Sequence, residues 1–316
     1  MTPYFRVLTG PTAAGKTRWL IALAQQRPVL AISADSRQVY RHMSIGTGKP
    51  TPATLRILPH QGLDVADPGT RFSVYQFLII AASALREAEL AGREPWVIGG
   101  AGLYIRGLVE GLRLGAPPRP ALRQALHEWI TRSSAREVAR ALGLTLTEID
   151  NPVRVVRAAE CACCDPDSAT RIYGVAGLPP GLCADDVEPG SGMDGVRSTL
   201  AGWRCAGIAV LDPGRDELKR LIDARVREMF AGGLLDEVAT LRKLGFGDAP
   251  QVRDGIAYRE AGWVLDGRAS VDEAVALACV RTRQYAKRQR TYFRGRGWMV
   301  MDADQLTVWE QATREA

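Results

Sequence analysis

Three groups of residues in this chain carry recognisable chemistry. The first is Gly10-Pro11-Thr12-Ala13-Ala14-Gly15-Lys16-Thr17, which fits G-x-x-x-x-G-K-[ST]. Its glycines let the backbone curl round an anion with N–H groups pointing inward. Lys16 adds a full positive charge, and the Thr17 hydroxyl is set to meet a Mg²⁺ ion. Such a loop holds a diphosphate or triphosphate. The second group is Asp35, at the end of the apolar run Val29-Leu30-Ala31-Ile32-Ser33. A carboxylate there is a candidate general base for an incoming nucleophile. The third is the stretch from Arg281 to Arg296, with seven Lys or Arg residues and no acid, interleaved with Tyr285, Tyr292 and Phe293. On a helix, Arg283, Lys287, Arg290 and Arg294 line one face, a face suited to tracking phosphates while the aromatics pack or stack on bases.

These groups need a scaffold, and the flanking residues describe one. Tyr4 to Thr9 reads as a buried strand before the phosphate loop, and Trp19 to Ala24 as a helix after it. Val29 to Ser33 is a second strand, Pro95 to Ile98 a third, and Gly207 to Leu211 a fourth, with Trp298 to Met301 as a last one. Between them, Phe72 to Ala91 reads as a helix capped by Ser73, and Gly99-Gly100-Ala101-Gly102 leads into a helix from Leu103. Further helices follow Asp212-Pro213, over Leu234 to Leu244, and from Val271 to about Phe293. This alternation predicts an α/β fold, a P-loop-containing, doubly wound parallel sheet. In such a sheet the strands' carboxyl ends open onto one crevice, so Asp35 is expected to face the phosphate loop. The third strand ends without the acid that poises water in most phosphate-loop NTPases, which argues against a motor or switch.

The rhythm changes after residue 110. Pro117-Pro118-Arg119-Pro120 is a linker, Ala121 to Leu142 is a charged amphipathic helical stretch, and Asp165 to Gly202 lacks periodicity. The reading is therefore a core in two parts, 1–110 and 203–316, around a mostly helical insertion at 111–202. With 46% apolar and 24% charged residues the chain is of ordinary globular composition. No apolar run approaches the roughly 18 residues of a membrane span, and no signal-like N-terminus is present, so a cytoplasmic, membrane-free protein is expected. Six cysteines, three bunched at Cys161, Cys163 and Cys164, form neither a disulfide framework nor the two C-x₂-C pairs of a zinc ribbon. His60 and His127 are isolated. The formal charge of +6 favours a polyanionic partner.

Five ordered blocks resemble the bacterial tRNA dimethylallyltransferase (tRNA isopentenyltransferase) family. They are Gly10 to Thr17; Ser33-Ala34-Asp35-Ser36-Arg37-Gln38-Val39-Tyr40; Ile45-Gly46-Thr47-Gly48-Lys49-Pro50; Gly99 to Tyr104; and Thr282-Arg283-Gln284-Tyr285-Ala286-Lys287-Arg288-Gln289 with Tyr292-Phe293-Arg294. The resemblance covers roughly 1–110 and 207–300. It implies that dimethylallyl diphosphate sits on Gly10, Pro11, Thr12, Ala13, Ala14, Gly15, Lys16 and Thr17 with Mg²⁺, and that Lys16 and Thr17 assist catalysis. By the same resemblance, Asp35 takes the proton from the exocyclic amine of an adenine beside the anticodon. The tRNA anticodon stem-loop is then expected to touch Asp35, Ser36, Arg37, Gln38, Ala101, Arg123, the segment Val153, Arg154, Val155, Val156 and Arg157, and Arg283, Lys287 and Arg288. No obligate protein partner is implied.

The sequence departs from the family at Ala101, where a Thr is usual, at Ala257, where a Gly is usual, and in the shortened, divergent insertion. Three other readings stay open at this level: a small-metabolite kinase, an enzyme prenylating free AMP, and an RNA-holding protein without catalysis. ATP consumption without RNA, or the choice between AMP and tRNA as acceptor, separates them.

Overall fold

The computed structural model describes residues 2–111, 120–144, 150–164 and 200–314. The chain divides into two compact units, Met1–Gly111 with Val196–Ala316, and Leu112–Gly195.

The first unit is built on one all-parallel sheet. Its strands are β1 (Tyr4–Thr9), β2 (Val29–Ser33), β3 (His60–Gln61), β4 (Glu94–Gly99), β5 (Arg204–Leu211) and β6 (Met299–Met301). They lie in the order β3-β2-β4-β1-β5-β6, so the strand bearing the phosphate loop is flanked by β4 and β5. Strands covered on both faces read as continuous apolar runs, and Val7, Leu8, Leu30, Ala31, Ile32, Trp96 and Val97 are fully buried. The charged exception is Arg6, also fully buried, which pairs with Glu94, donates to the Thr313 carbonyl (2.8 Å) and lies over the Tyr4 ring (4.9 Å).

Helices connect the strands: α1 (Lys16–Ala24), α2 (Pro52–Ile57), α3 (Val74–Leu90) and α4 (Gly102–Glu110). Ser73 caps α3 in a reciprocal box with Gln76, satisfying the helix's first free amides. The second unit contains α5 (Pro120–Arg132), α6 (Ala135–Ala141) and α7 (Pro152–Cys164). The single helical stretch expected over Ala121 to Leu142 is thus two helices, because the Ser134 side chain caps the Glu137 amide and starts a new one. After β5 come α8 (Arg215–Ala231), α9 (Leu234–Lys243), α10 (Pro250–Arg253), α11 (Tyr258–Leu265), α12 (Val271–Arg294) and α13 (Ala303–Arg314). Residues 165–199, including Cys183, lie outside the described residues.

Candidate active site

The phosphate loop leaves β1 at Gly10, whose φ of 143° and close approach to β5 exclude a side chain. A Cβ there would lie 2.2 Å from the Leu211 carbonyl oxygen. Gly15, at φ 88°, caps α1 without a side-chain bond, so the amides of that first turn remain directed at the loop's hollow. Lys16 folds back over the loop and donates to the carbonyls of Gly10 (2.9 Å) and Pro11 (2.8 Å). Its ammonium is pulled down from 10.5 to about 8, chiefly by burial and then by the neighbouring Arg225 charge, with Asp35 opposing the shift. The Thr17 hydroxyl, one residue on, makes no hydrogen bond among the described residues, which leaves it open to a metal ligand role.

Arg225 belongs to no local sequence motif. It stands on α8 and reaches across to the Thr12 hydroxyl (3.4 Å) and the Thr47 carbonyl (3.2 Å). Burial lowers its pKa, and Asp35 and Glu228 act in the other direction. No carboxylate lies within ion-pair distance of it among the described residues. Its place beside the buried stripe of α8, Leu218, Ile222, Val226 and Phe230, is no signal by itself, since Arg227 stands beside the same stripe and is exposed. Lys16, Arg225 and the uncapped first turn of α1 therefore border one hollow. Such an arrangement is able to hold a multiply charged anion.

Asp35 stands opposite. The ends of β2 and β4 pinch together there: Ala34 N–H donates to the Ile98 carbonyl (2.7 Å), and Ala101 N–H donates to the Ala34 carbonyl (3.0 Å). Gly99 is required at that pinch, since a Cβ would lie 2.1 Å from the Ala34 oxygen. The Asp35 side chain is oriented by its own turn, with Oδ1 accepting from the amides of Arg37 (2.8 Å) and Gln38 (3.3 Å). Its Oδ2 makes no hydrogen bond among the described residues. Its charge is felt by Lys16 and Arg225 on one side and by two phenols on the other. Burial first and Asp35 second push Tyr285 up to about 12, and burial, Tyr40 and Asp35 raise Tyr104. Ser36 is half-buried and Arg37 exposed beside it. Ala101 starts α4 with no side-chain cap, because it has no hydroxyl to offer.

The helix α12 closes the crevice. Gln289, buried in its last third, accepts from the Thr12 amide (2.9 Å) and donates to the Gly100 carbonyl (3.0 Å), joining the phosphate loop to the end of β4. A Cβ on Gly100 would meet that amide at 2.2 Å, and one on Gly102 would meet the Tyr292 ring at 2.1 Å. Not every base on this helix faces water. Arg290 donates to Asp212 (2.7 Å), which follows β5 and whose side chain is buried, and Arg283 donates to both oxygens of Asp223 on α8 (2.9 Å each). Arg283, expected to meet RNA, is thus half-buried in a helix-to-helix pair. Lys287 and Arg288 are exposed, and Arg288 lies over the Tyr285 ring (5.8 Å). Asp212 is an acid at a strand end that the sequence reading passed over. Held by Arg290, with Arg294 at 3.8 Å, it anchors the helix and is not free to poise water.

The family model described as IPP transferase matches residues 38–296, and the model described as isopentenyl transferase matches residues 3–62. The chain belongs to the IPP transferase family. Among curated members, tRNA dimethylallyltransferase 1 of Pelobacter propionicus is 35% identical over 97% of this chain and 92% of its own. The tRNA dimethylallyltransferase of a Roseiflexus species is 37% identical over 91% of this chain and 88% of its own. The crystal structure of a tRNA isopentenylpyrophosphate transferase from Staphylococcus epidermidis superposes with a TM-score of 0.62 at 26% identity, covering 99% of this chain and 98% of that one. A eukaryotic dimethylallyltransferase acting on tRNA shares the fold, with a TM-score of 0.67 at 18% identity over 98% of this chain and 76% of its own.

In the second unit of this family member, the residues expected to meet tRNA divide. Val155 and Val156 are corrected to core residues. They are fully buried among Leu126, Val138, Ala139 and Leu142, because α7 turns its apolar stripe toward α5 and α6. Arg123, expected to meet tRNA, makes an ion pair within this unit. Its fork clasps Glu160, which has no exposed surface, with Nε donating to Oε1 at 2.8 Å, so it neutralises a buried charge. Arg157 leans on the same carboxylate at 3.4 Å. Val153 and Arg154 are exposed in the first turn of α7.

Proposed function

We propose that this chain transfers a dimethylallyl group from dimethylallyl diphosphate to the exocyclic amine of an adenine adjacent to the anticodon in tRNA, releasing pyrophosphate, in the cytoplasm. Among the described residues no helix is long and apolar enough to cross a membrane. The observation that carries the reading is the hollow where Lys16, Arg225 and the amides of the loop converge, with Asp35 facing them from the end of β2.

The diphosphate lies on residues 10–17, its charge met by Lys16 and Arg225 and by amides that need no reorientation as the leaving group forms. A target adenine leaves its stack and enters the crevice beside Tyr104 and Tyr285. Its amine nitrogen attacks the allylic carbon as the carbon–oxygen bond to the diphosphate breaks. The proton released from that nitrogen passes to Asp35, whose Oδ1 is fixed by two amides. Because the nucleophile is an amine, no residue has to poise water, in keeping with Asp212 being locked to Arg290. A Mg²⁺ ion fits the donor set: the Thr17 hydroxyl and the diphosphate's own oxygens suit a hard cation that keeps most of its waters. When bound, it supplies further charge to the leaving group.

The test is mass spectrometry of tRNA nucleosides after incubation of the protein with tRNA, Mg²⁺ and dimethylallyl diphosphate. A dimethylallyl adenosine on the anticodon arm is expected from the wild type. Its absence at saturating substrate, or turnover of ATP in place of the prenyl donor, would overturn the proposal.

A further inference from the structure

Residues Ser44 to Lys49 form neither helix nor strand, yet both halves of the site lean on them. They make one tight turn, closed by Gly48 N–H on the Ile45 carbonyl and Lys49 N–H on the Ser44 carbonyl (2.9 Å each), with Gly48 at φ 62°. The turn's carbonyls serve the crevice. The Thr47 oxygen accepts from Arg225 (3.2 Å), and the Gly48 oxygen accepts from Gln38 Nε2 (3.1 Å). A Cβ on Gly48 would lie 1.8 Å from the Arg225 guanidinium, so the two are packed without slack.

The turn's amides point away from the crevice, and they converge on one side chain. Glu237, in the first turn of α9, accepts from Ser44 N–H (3.0 Å) and Ile45 N–H (2.7 Å) through Oε2. Through Oε1 it accepts from Gly46 N–H (3.2 Å) and from the Tyr258 hydroxyl (2.6 Å). Three consecutive amides and a phenol on one carboxylate make the arrangement by which a helix's free N–H groups hold an anion, here supplied by the protein itself. Tyr258 is buried, and its ring would lie 2.4 Å from a Cβ on Gly46, which fixes the turn from a second side.

We propose that Glu237, which touches neither substrate, is a positioning residue for the diphosphate: by fixing the 44–48 turn it sets where the Arg225 guanidinium stands. This rests on the function proposed above, in which Arg225 meets the diphosphate. An amide in place of the carboxylate offers one acceptor oxygen and turns an NH₂ group toward N–H donors, so at least one of the turn's amides loses its partner. The Thr47 carbonyl then drifts, and Arg225 keeps only the 3.4 Å contact with Thr12.

Binding of inorganic pyrophosphate to the full chain, measured by calorimetry, tests this with Glu237→Gln, Arg225→Ala and the double variant. Glu237→Gln is expected to weaken binding about tenfold, the worth of one charge-assisted hydrogen bond. Arg225→Ala is expected to weaken it more, and the double variant to bind no worse than Arg225→Ala alone, because the two losses run through one guanidinium. Losses that multiply would make Glu237 a general stabiliser and overturn the inference, as would wild-type binding in Glu237→Gln. Tyr258→Phe removes one of the four donors with little change of shape and carries the same comparison if Glu237→Gln does not fold. If Arg225→Ala alone binds like wild type, the reading of the anion site fails first, and the role of Glu237 falls with it.

Discussion

Lys16 offers the sharpest quantitative test of the anion site. With a pKa of about 8 in the free protein, its ammonium is roughly 90% charged at pH 7 and roughly 10% charged at pH 9. A phosphate oxygen brought within about 4 Å contributes on the order of 4 kcal/mol per unit charge at an effective dielectric near 20, which is about three pKa units. Occupation by a diphosphate should therefore return Lys16 to a pKa near or above its ordinary value, and binding at high pH must draw a proton from solution. Calorimetric titration of pyrophosphate in two buffers of different ionisation enthalpy reads that proton directly. The expected uptake at Lys16 is about 0.9 proton at pH 9 and about 0.1 at pH 7, with affinity falling about tenfold between them. Pyrophosphate titrates on its own account, so the comparison is with Lys16→Arg, whose side chain stays charged throughout. If wild type and Lys16→Arg take up equal numbers of protons at pH 9, Lys16 is not the group that meets the anion.

Other outcomes follow from the same geometry. Asp35→Ala is expected to lower kcat by about 10²- to 10⁴-fold, the range for a positioned general base, with pyrophosphate binding retained; single-turnover assays and calorimetry report the two separately. The unfolded chain holds the Lys16 proton more tightly than the folded one, so its contribution to stability rises between pH 8 and 10.5. That rise, about 3 kcal/mol at most, should be absent when urea midpoints are compared in Lys16→Met. Ala257 has φ 69° while fully buried, and Ala257→Gly should raise the urea midpoint by the equivalent of about 1 kcal/mol. Arg123→Ala leaves the buried Glu160 without its main partner and should destabilise the second unit by about 3 kcal/mol, read as an early transition in urea. A general loss of tRNA affinity with unchanged stability would instead mean that Arg123 faces the RNA.

What was legible beforehand was whatever the chain writes locally. The phosphate loop announces itself by glycines at fixed offsets, every strand but the two-residue polar β3 by an apolar run, and the start of α3 by Ser73. Asp35 could be placed because a parallel sheet brings strand ends together whatever their separation in sequence. The missed residues, Arg225, Gln289, Glu237 and Asp212, all act across long sequence distances, and each looks like an ordinary surface residue until its partner is known. Gln289 lies 277 residues from Thr12, and no local pattern encodes that bond. The errors in the second unit have a different source. Val155 and Val156 shared a segment with exposed Arg154, and only the helical phase of α7 decides which of them looks inward.

The Gln289 bridge has a mechanical consequence. One side-chain amide grips the anion loop with its oxygen and the neighbouring strand end with its nitrogen, and it is rooted in the same helix whose Lys287 and Arg288 stand in solvent. A load applied to the outside of that helix would be delivered, through a buried side chain, to the loop on which the proposed diphosphate would rest.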